Sequence, residues 1–158
     1  LEATSVGLRL TPNAEVDVHQ VSWVSFDATA VPHPELADPA LFVQELLPGW
    51  TDVFLDLYLE NLRQQGLHSL EALARRLLEQ GNPCRALAAG LTAVQAAPLR
   101  ESARRIVMEI HLAEGNFADA DREFRLFARI LRQELQVTPS PLIERLVSST
   151  HGHPPSPR

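Results

Sequence analysis

Lysine is missing altogether: all fourteen basic residues are arginines, set against twenty acidic residues, for a formal net charge of −6 over 158 residues. Arginine codons are GC-rich and lysine codons are not, so the bias points to a GC-rich genome. The arginines are scattered and often sit next to glutamate, as in Arg100-Glu101 and Arg122-Glu123. Such a chain lacks the continuous basic face that a phosphate backbone needs, which argues against DNA binding by these residues alone. A single cysteine, Cys84, excludes an internal disulfide and fits a reducing cytoplasm. No apolar run approaches the roughly 18 residues of a membrane span, and no basic-then-apolar signal opens the chain, so no membrane partner is expected. No glycine-rich phosphate loop is present, which removes a P-loop ATPase module. The first residue is Leu1 rather than methionine, the expectation being a fragment or a processed product.

Catalytic and metal chemistry are equally short of material. His151 and His153 flank a glycine in the proline-rich end "HGHPPSPR", without the four ordered ligands of a zinc site; a disordered tail is the expectation there. Glu109, His111 and Glu114 share a helix but not the i, i+4 His-His spacing of zincins, and His111 reads as a core or half-buried residue. Cys84 has neither a resolving cysteine nor a patterned histidine partner. No catalytic residue, cofactor or metal is therefore assigned, and the chain reads as a non-enzyme.

What is present is helix punctuation. Asp38-Pro39, Asn82-Pro83 and Ser140-Pro141 each place a capping residue before a proline, whose fixed φ suits the first helical position. They predict helices at about 39–47, 83–97 and 141–149, with the three capping side chains accepting from orphan N–H groups. Thr51 and Gly81 bracket a long helix, 51–80, whose apolar stripe is Val53, Leu57, Leu62, Leu70, Leu73, Ala74 and Leu77. Gly66 inside it costs about 1 kcal/mol relative to alanine and marks a possible bend. Helices at about 100–113 (Ile106, Val107, Ile110 and Ala113 inward) and 117–135 follow. The latter carries Phe117, Ala120, Phe124, Phe127, Leu131 and Leu135 on one face. Arg75-Arg76 and Arg104-Arg105 read as solvated faces. At the N-terminus "VGLRL" reads as a short strand and Val31–Pro34 as a linker. Val16–Phe26 has the β-branched and aromatic content of a strand but also a helical face, Val18, Val21, Val24 and Ser25, and is taken as a short helix.

Gly81-Asn82 and Gly115-Asn116 lie 34 residues apart, and so do Ala86 and Ala120, each four residues after its asparagine. That period marks tetratricopeptide-type helix pairs. A frame starting at Leu67 puts Ala74, Ala86 and Ala93 where two helices approach closely, with Pro98 closing the repeat. The next frame starts at Glu101 and places Ala120 correctly, but has Met108 and Phe127 at the other small positions. One pair cannot bury its apolar face alone, so neighbours stack. The fold class expected is all-α: five or six helices in antiparallel, tetratricopeptide-like pairs, after a short N-terminal β element.

The stretches "ELLPGW" (Glu45 to Trp50), "LHSLEALARRLLEQGN" (Leu67 to Asn82), "APLRESARRIVMEIHLAEGN" (Ala97 to Asn116) and "LRQELQVTPSP" (Leu131 to Pro141) stand in an order that resembles a known family. It is the bacterial transcriptional activator domain of regulators of the Streptomyces antibiotic regulatory protein type. The resemblance covers about residues 35–147 and is most specific at Pro98–Glu101 and Pro139–Pro141. Gly7-Leu8-Arg9-Leu10 and Val16-Asp17 look like the exit of a winged-helix DNA-binding domain, with Leu8 in place of the usual tyrosine. Gln136 stands where the family usually has glycine, and Phe124 where it has tyrosine.

The resemblance implies residues 1–30 as the end of a winged-helix domain and its connector, 31–149 as the activator domain and 150–158 as a tail. It also implies a cytoplasmic regulator domain that self-associates or contacts RNA polymerase or another regulator, with DNA bound only through a winged-helix half missing from these residues. The repeat frame places His68, Glu71 and Arg75, then Ser102, Arg105 and Glu109, on the inner face of the first helix of each pair. That mixed-charge groove suits a protein or peptide partner. A free-standing tetratricopeptide-like adaptor is the alternative.

Overall fold

In a computed structural model, residues 2–4, 7–9, 38–43 and 53–151 are described. The first two segments are strands β1 (Glu2–Thr4) and β2 (Gly7–Arg9), paired antiparallel with Ala3 opposite Leu8. The expected strand is thus half of a hairpin whose other half carries no sequence signal. The helix expected at Val16–Phe26 and the linker at Val31–Pro34 lie outside the described residues.

The remainder is helical. A 3-10 helix, Pro39–Val43, precedes α1 (Val53–Glu79), α2 (Pro83–Ala96), α3 (Glu101–Ala113), α4 (Phe117–Glu134) and α5 (Pro141–His151). The expected helix at 39–47 is therefore 3-10 over its described part. α5 runs on to His151, two residues into the expected 150–158 tail. Of the three expected caps, only Asp38 accepts through its side chain, from the Ala40 N–H at 3.0 Å. Asn82 makes no side-chain cap bond, and the Ser140 hydroxyl turns away to donate to Glu101. At these two starts proline has already removed one orphan donor, and the Ser140 carbonyl accepts from Ile143 and Glu144 as the helix begins.

The repeated Gly-Asn has a direct structural meaning. Gly81 and Gly115 adopt φ of +73° and +76°, the left-handed conformation that closes a helix. At each end the asparagine N–H reaches back five residues, Asn82 to the Leu77 carbonyl at 2.9 Å and Asn116 to the His111 carbonyl at 2.8 Å. The same asparagine carbonyl then accepts from the alanine four residues on, Ala86 at 3.1 Å and Ala120 at 3.2 Å. The asparagine-to-alanine interval is therefore the opening hydrogen bond of the second helix in each pair. That alanine is its first fully buried residue.

Two apolar cores result, with α3 as their common wall. Phe42, the second half of α1, α2 and the Ala103, Ile106, Val107, Ile110 side of α3 form the first. Met108 of α3, with Ala120, Phe127 and Leu131 of α4 and Ile143 and Val147 of α5, forms the second. Of the stripe expected along α1, Leu70, Leu73, Ala74 and Leu77 are buried and Leu62 is half-buried, while the Val53 side chain lies outside the described ones. Leu57 is 83% exposed, while Leu67, left out of that stripe, is fully buried. At 27 residues against 14, α1 is about 20 Å longer than α2 by the helical rise, and its first half extends past the core formed by the described residues. Ala113, Phe117 and Leu135 are exposed rather than inward. All three sit at helix ends, where the apolar face meets solvent.

α1 runs unbroken through Gly66. A Cβ there would lie 1.9 Å from the Phe42 carbonyl oxygen, so glycine is what lets the 3-10 helix lie against α1 and bury Phe42. Gly66→Ala should lower unfolding stability by about 1–2 kcal/mol in urea titration, because overpacking against backbone outweighs alanine's helical preference. At the end of α4, Gln136 has φ of +59°, a conformation that costs a side-chain-bearing residue about 1–2 kcal/mol. The closing bond there, Val137 N–H to the Leu131 carbonyl, is long at 3.5 Å. Gln136→Gly should stabilise the domain by about 1 kcal/mol, read as a melting point roughly 2–4 °C higher by circular dichroism.

Candidate functional site

α2 closes with the Ala97 N–H bonded to the Ala93 carbonyl, and Pro98, which has no N–H, cannot prolong the helix. The chain turns within three residues, the Arg100 N–H donating to the Ala97 carbonyl at 3.0 Å, and Glu101 begins α3. Arg100 and Glu101 leave this joint in opposite directions.

Arg100 reaches back to α1. Its Nε donates to Glu71 Oε1 at 2.6 Å, its Nη1 to Gln64 Oε1 at 2.8 Å, and its Nη2 lies 3.2 Å from His68 Nε2. Ser102 Oγ donates to the same Glu71 oxygen at 2.7 Å. Glu71 is buried, its side chain only 5% exposed, so two donors, one of them cationic, hold its carboxylate away from water. The network continues outward: Gln64 Nε2 donates to Glu60, which also accepts two bonds from Arg63 at 2.7 and 2.8 Å. Those bonds from Arg63, with the one from Gln64, hold the Glu60 carboxyl down to about 2. Glu101 reaches forward instead, accepting the Ser140 N–H at 3.1 Å and the Ser140 hydroxyl. It thereby fixes the start of α5 to the start of α3.

Of the six groove residues named from the sequence, His68, Glu71 and Ser102 meet around Arg100. Arg105 and Glu109 pair with each other along α3 at 3.6 Å. Arg75, one turn beyond Glu71 on α1, is half-buried and has no charged or hydrogen-bonding partner among the described residues. The Glu71 carboxylate is engaged inside the joint, so a partner would meet His68, Arg75 and the Arg105–Glu109 pair. The four packing alanines, Ala74, Ala86, Ala93 and Ala120, have no exposed surface, and Pro98 is exposed in the joint.

One expectation needs correcting. Arg104 is buried rather than solvated: its Nη1 donates to Glu123 on α4 at 2.9 Å, and its guanidinium lies 5.8 Å from the centre of the Phe127 ring. The cause is helical phase: Arg104 is one turn from Met108 and points with it into the second core. Sequence reasoning also missed Gln64, Arg100, Glu101 and Ser140 as a working set. The available signal was that Pro98–Glu101 and Pro139–Pro141 carried the most specific part of the family resemblance, and these are the two segments the Glu101–Ser140 contact joins. Among the described residues no three His, Cys, Asp or Glu side chains converge on a metal position, and no helix is long and apolar enough to cross a membrane. Cys84 is exposed on the first turn of α2.

The model of the bacterial transcriptional activator domain family matches residues 40–149, from the 3-10 helix through α5. The chain belongs to this family. A regulatory role of the transcriptional-activator type follows from that membership. Among curated proteins and among solved structures nothing matches significantly. In this activator domain the matched span holds both helix pairs, the joint between them and the Ser140 clamp.

Arg100→Ala would strand Glu71 with Ser102 as its one remaining donor. A loss on the order of 3 kcal/mol is expected, as for other buried pairs broken on one side. Arg63→Ala, at an exposed pair, should stay within about 0.5 kcal/mol of the parent. Parallel urea titrations of the two variants check this, and equal effects would contradict it.

Proposed function

We propose that the chain is the non-catalytic interaction and oligomerisation domain of a cytoplasmic bacterial transcriptional activator. In this reading residues 1–30 are the exit of a winged-helix domain, 31–149 the activator domain and 150–158 a tail. DNA is bound by the winged-helix half, and the helical repeats position or pair that half and contact RNA polymerase or a second regulator. Of the groove residues, His68, Arg75, Arg105 and Glu109 receive the protein partner, while Glu71 and Ser102 hold the joint beneath them.

The observation that carries the reading is the family match over residues 40–149, which spans both stacked pairs and the joint that orients them. The groove gains support from Arg75 and from the Arg105–Glu109 pair, charged groups left at its edge once Glu71 is engaged in the joint. The chain's acidity supports assigning DNA contacts elsewhere.

The test has two arms. Fused behind a heterologous DNA-binding domain, the chain should raise reporter transcription in a bacterial cell several-fold above that domain alone. Arg75→Glu with Arg105→Glu should remove most of the gain while leaving the circular dichroism spectrum intact. By itself the chain should leave random duplex DNA unshifted at low micromolar protein and physiological salt. An inert fusion would favour the free-standing adaptor instead. Saturable DNA binding lost on Arg9→Ala would mean that the N-terminal hairpin reads DNA and that the function is misplaced.

A further inference from the structure

The outer face of α4 concentrates charge that the sequence disperses. Arg122, Arg125, Arg129 and Arg132 follow at intervals of three, four and three, so at about 100° per residue they fall on one side of the helix. That side lies opposite Ala120, Phe127 and Leu131, which face the second core, and all four arginines are exposed. The stripe is about 15 Å long by the helical rise. Its halves differ in how they are neutralised. Arg122 pairs with Asp119 at 2.9 Å and Arg125 with Asp121 at 2.8 Å. Between Glu123 and Glu134 there is no acidic residue, and Arg129 and Arg132 have no ion-pair or hydrogen-bond partner among the described residues. Two exposed leucines border this free pair at helical neighbour positions: Leu126, three residues before Arg129, and Leu135, three after Arg132.

We propose that the Arg129–Arg132 end of this stripe is a docking surface for an acidic, leucine-bearing helix of a protein partner. Two unpaired guanidiniums on a chain of net charge −6 form a local cationic site that carboxylates can engage bidentately. Leu126 and Leu135 offer apolar contact at its two ends, which a helix presenting carboxylates and leucines at i, i+3 and i+4 spacing would match. Nucleic acid fits less well. A phosphate polymer gains affinity by having several adjacent phosphates neutralised, and two free arginines supply few, with Asp119 and Asp121 beside the others. This surface lies on a second helix of a pair, whereas the groove lies on first helices, so the proposal does not depend on the groove or on the activator reading.

The test uses a fluorescein-labelled, capped 18-residue peptide with glutamates and leucines at those spacings, titrated with the whole chain at 50 and 300 mM salt. Saturable binding is expected at low salt and should weaken at high salt as the ion pairs are screened. Arg129→Glu with Arg132→Glu should lower affinity at least roughly tenfold. Both side chains are exposed and unpaired among the described residues, so the circular dichroism melt should fall by only a few degrees, the cost of placing a glutamate in the last turn of α4. Arg63→Glu with Arg85→Glu, at exposed positions of α1 and α2, makes the same change in net charge away from the stripe and should lower affinity less than about twofold. The proposal is overturned if the peptide does not bind, or if the two double variants weaken binding equally. It is likewise overturned if a random DNA duplex binds with higher affinity than the peptide and loses that binding in the Arg129, Arg132 variant.

Discussion

Glu71 is a carboxylate with almost no access to water, in the middle of the helix that starts the first pair, and the stacking of the two pairs depends on what neutralises it. Apolar contact alone is non-directional and leaves the angle between neighbouring pairs loosely set. A short charged bond from Arg100, with a second from Ser102 to the same oxygen, is directional and fixes where the start of α3 lies against α1. Glu101 does the corresponding work on the far side by accepting both the N–H and the hydroxyl of Ser140. Two consecutive residues thus tie three segments, and the same few atoms set the placement of α1, α3 and α5.

α3 carries the consequence, because each of its faces belongs to a different core. Ala103, Ile106, Val107 and Ile110 pack toward the first pair, Arg104 and Met108 toward the second. The repeats are therefore unequal. Where the first uses Ala74 and Ala93, the second has Met108 and Phe127, both fully buried. The extra volume is accommodated within a cluster to which α5 contributes Ile143 and Val147. The Arg104 guanidinium, near the Phe127 ring and bonded to Glu123, shares that interior. Shifting α3 to relieve one core would strain the other, so its phase is held from both sides.

The sequence was most legible where one chemical rule governs one position. Gly81 and Gly115 announce left-handed helix ends, Pro83 and Pro141 announce helix starts, and the 34-residue interval announces the pairing of helices. Legibility failed where two segments distant in sequence meet. Gly66 reads as a weak point within a helix until the Phe42 carbonyl is placed against it, after which it is the residue that permits contact. Arg104 reads as one half of a polar pair until the phase of α3 is known. Leu57 fits the stripe by spacing and fails because nothing among the described residues lies beside that part of α1. The groove residues were placed by frame alone, and the frame did not show that Arg100, lying between helices and outside any periodic pattern, draws His68, Glu71 and Ser102 together.

Net charge is the other quantity that a linear reading averages away. The chain is acidic as a whole, and its arginines look dispersed when counted along the sequence. Folding sorts them by role. Arg104 goes inside, where an ion pair and an aromatic face offset its burial. Arg100 becomes part of the joint, and Arg105 pairs along its own helix. The intervals of α4 then gather four more onto one outer face, two balanced by aspartates a turn away and two without a partner among the described residues. A protein of negative net charge can therefore present a local cationic surface: the helical period decides which side chains share a face, and neighbours at i−3 and i−4 decide which of those charges remain available to another molecule.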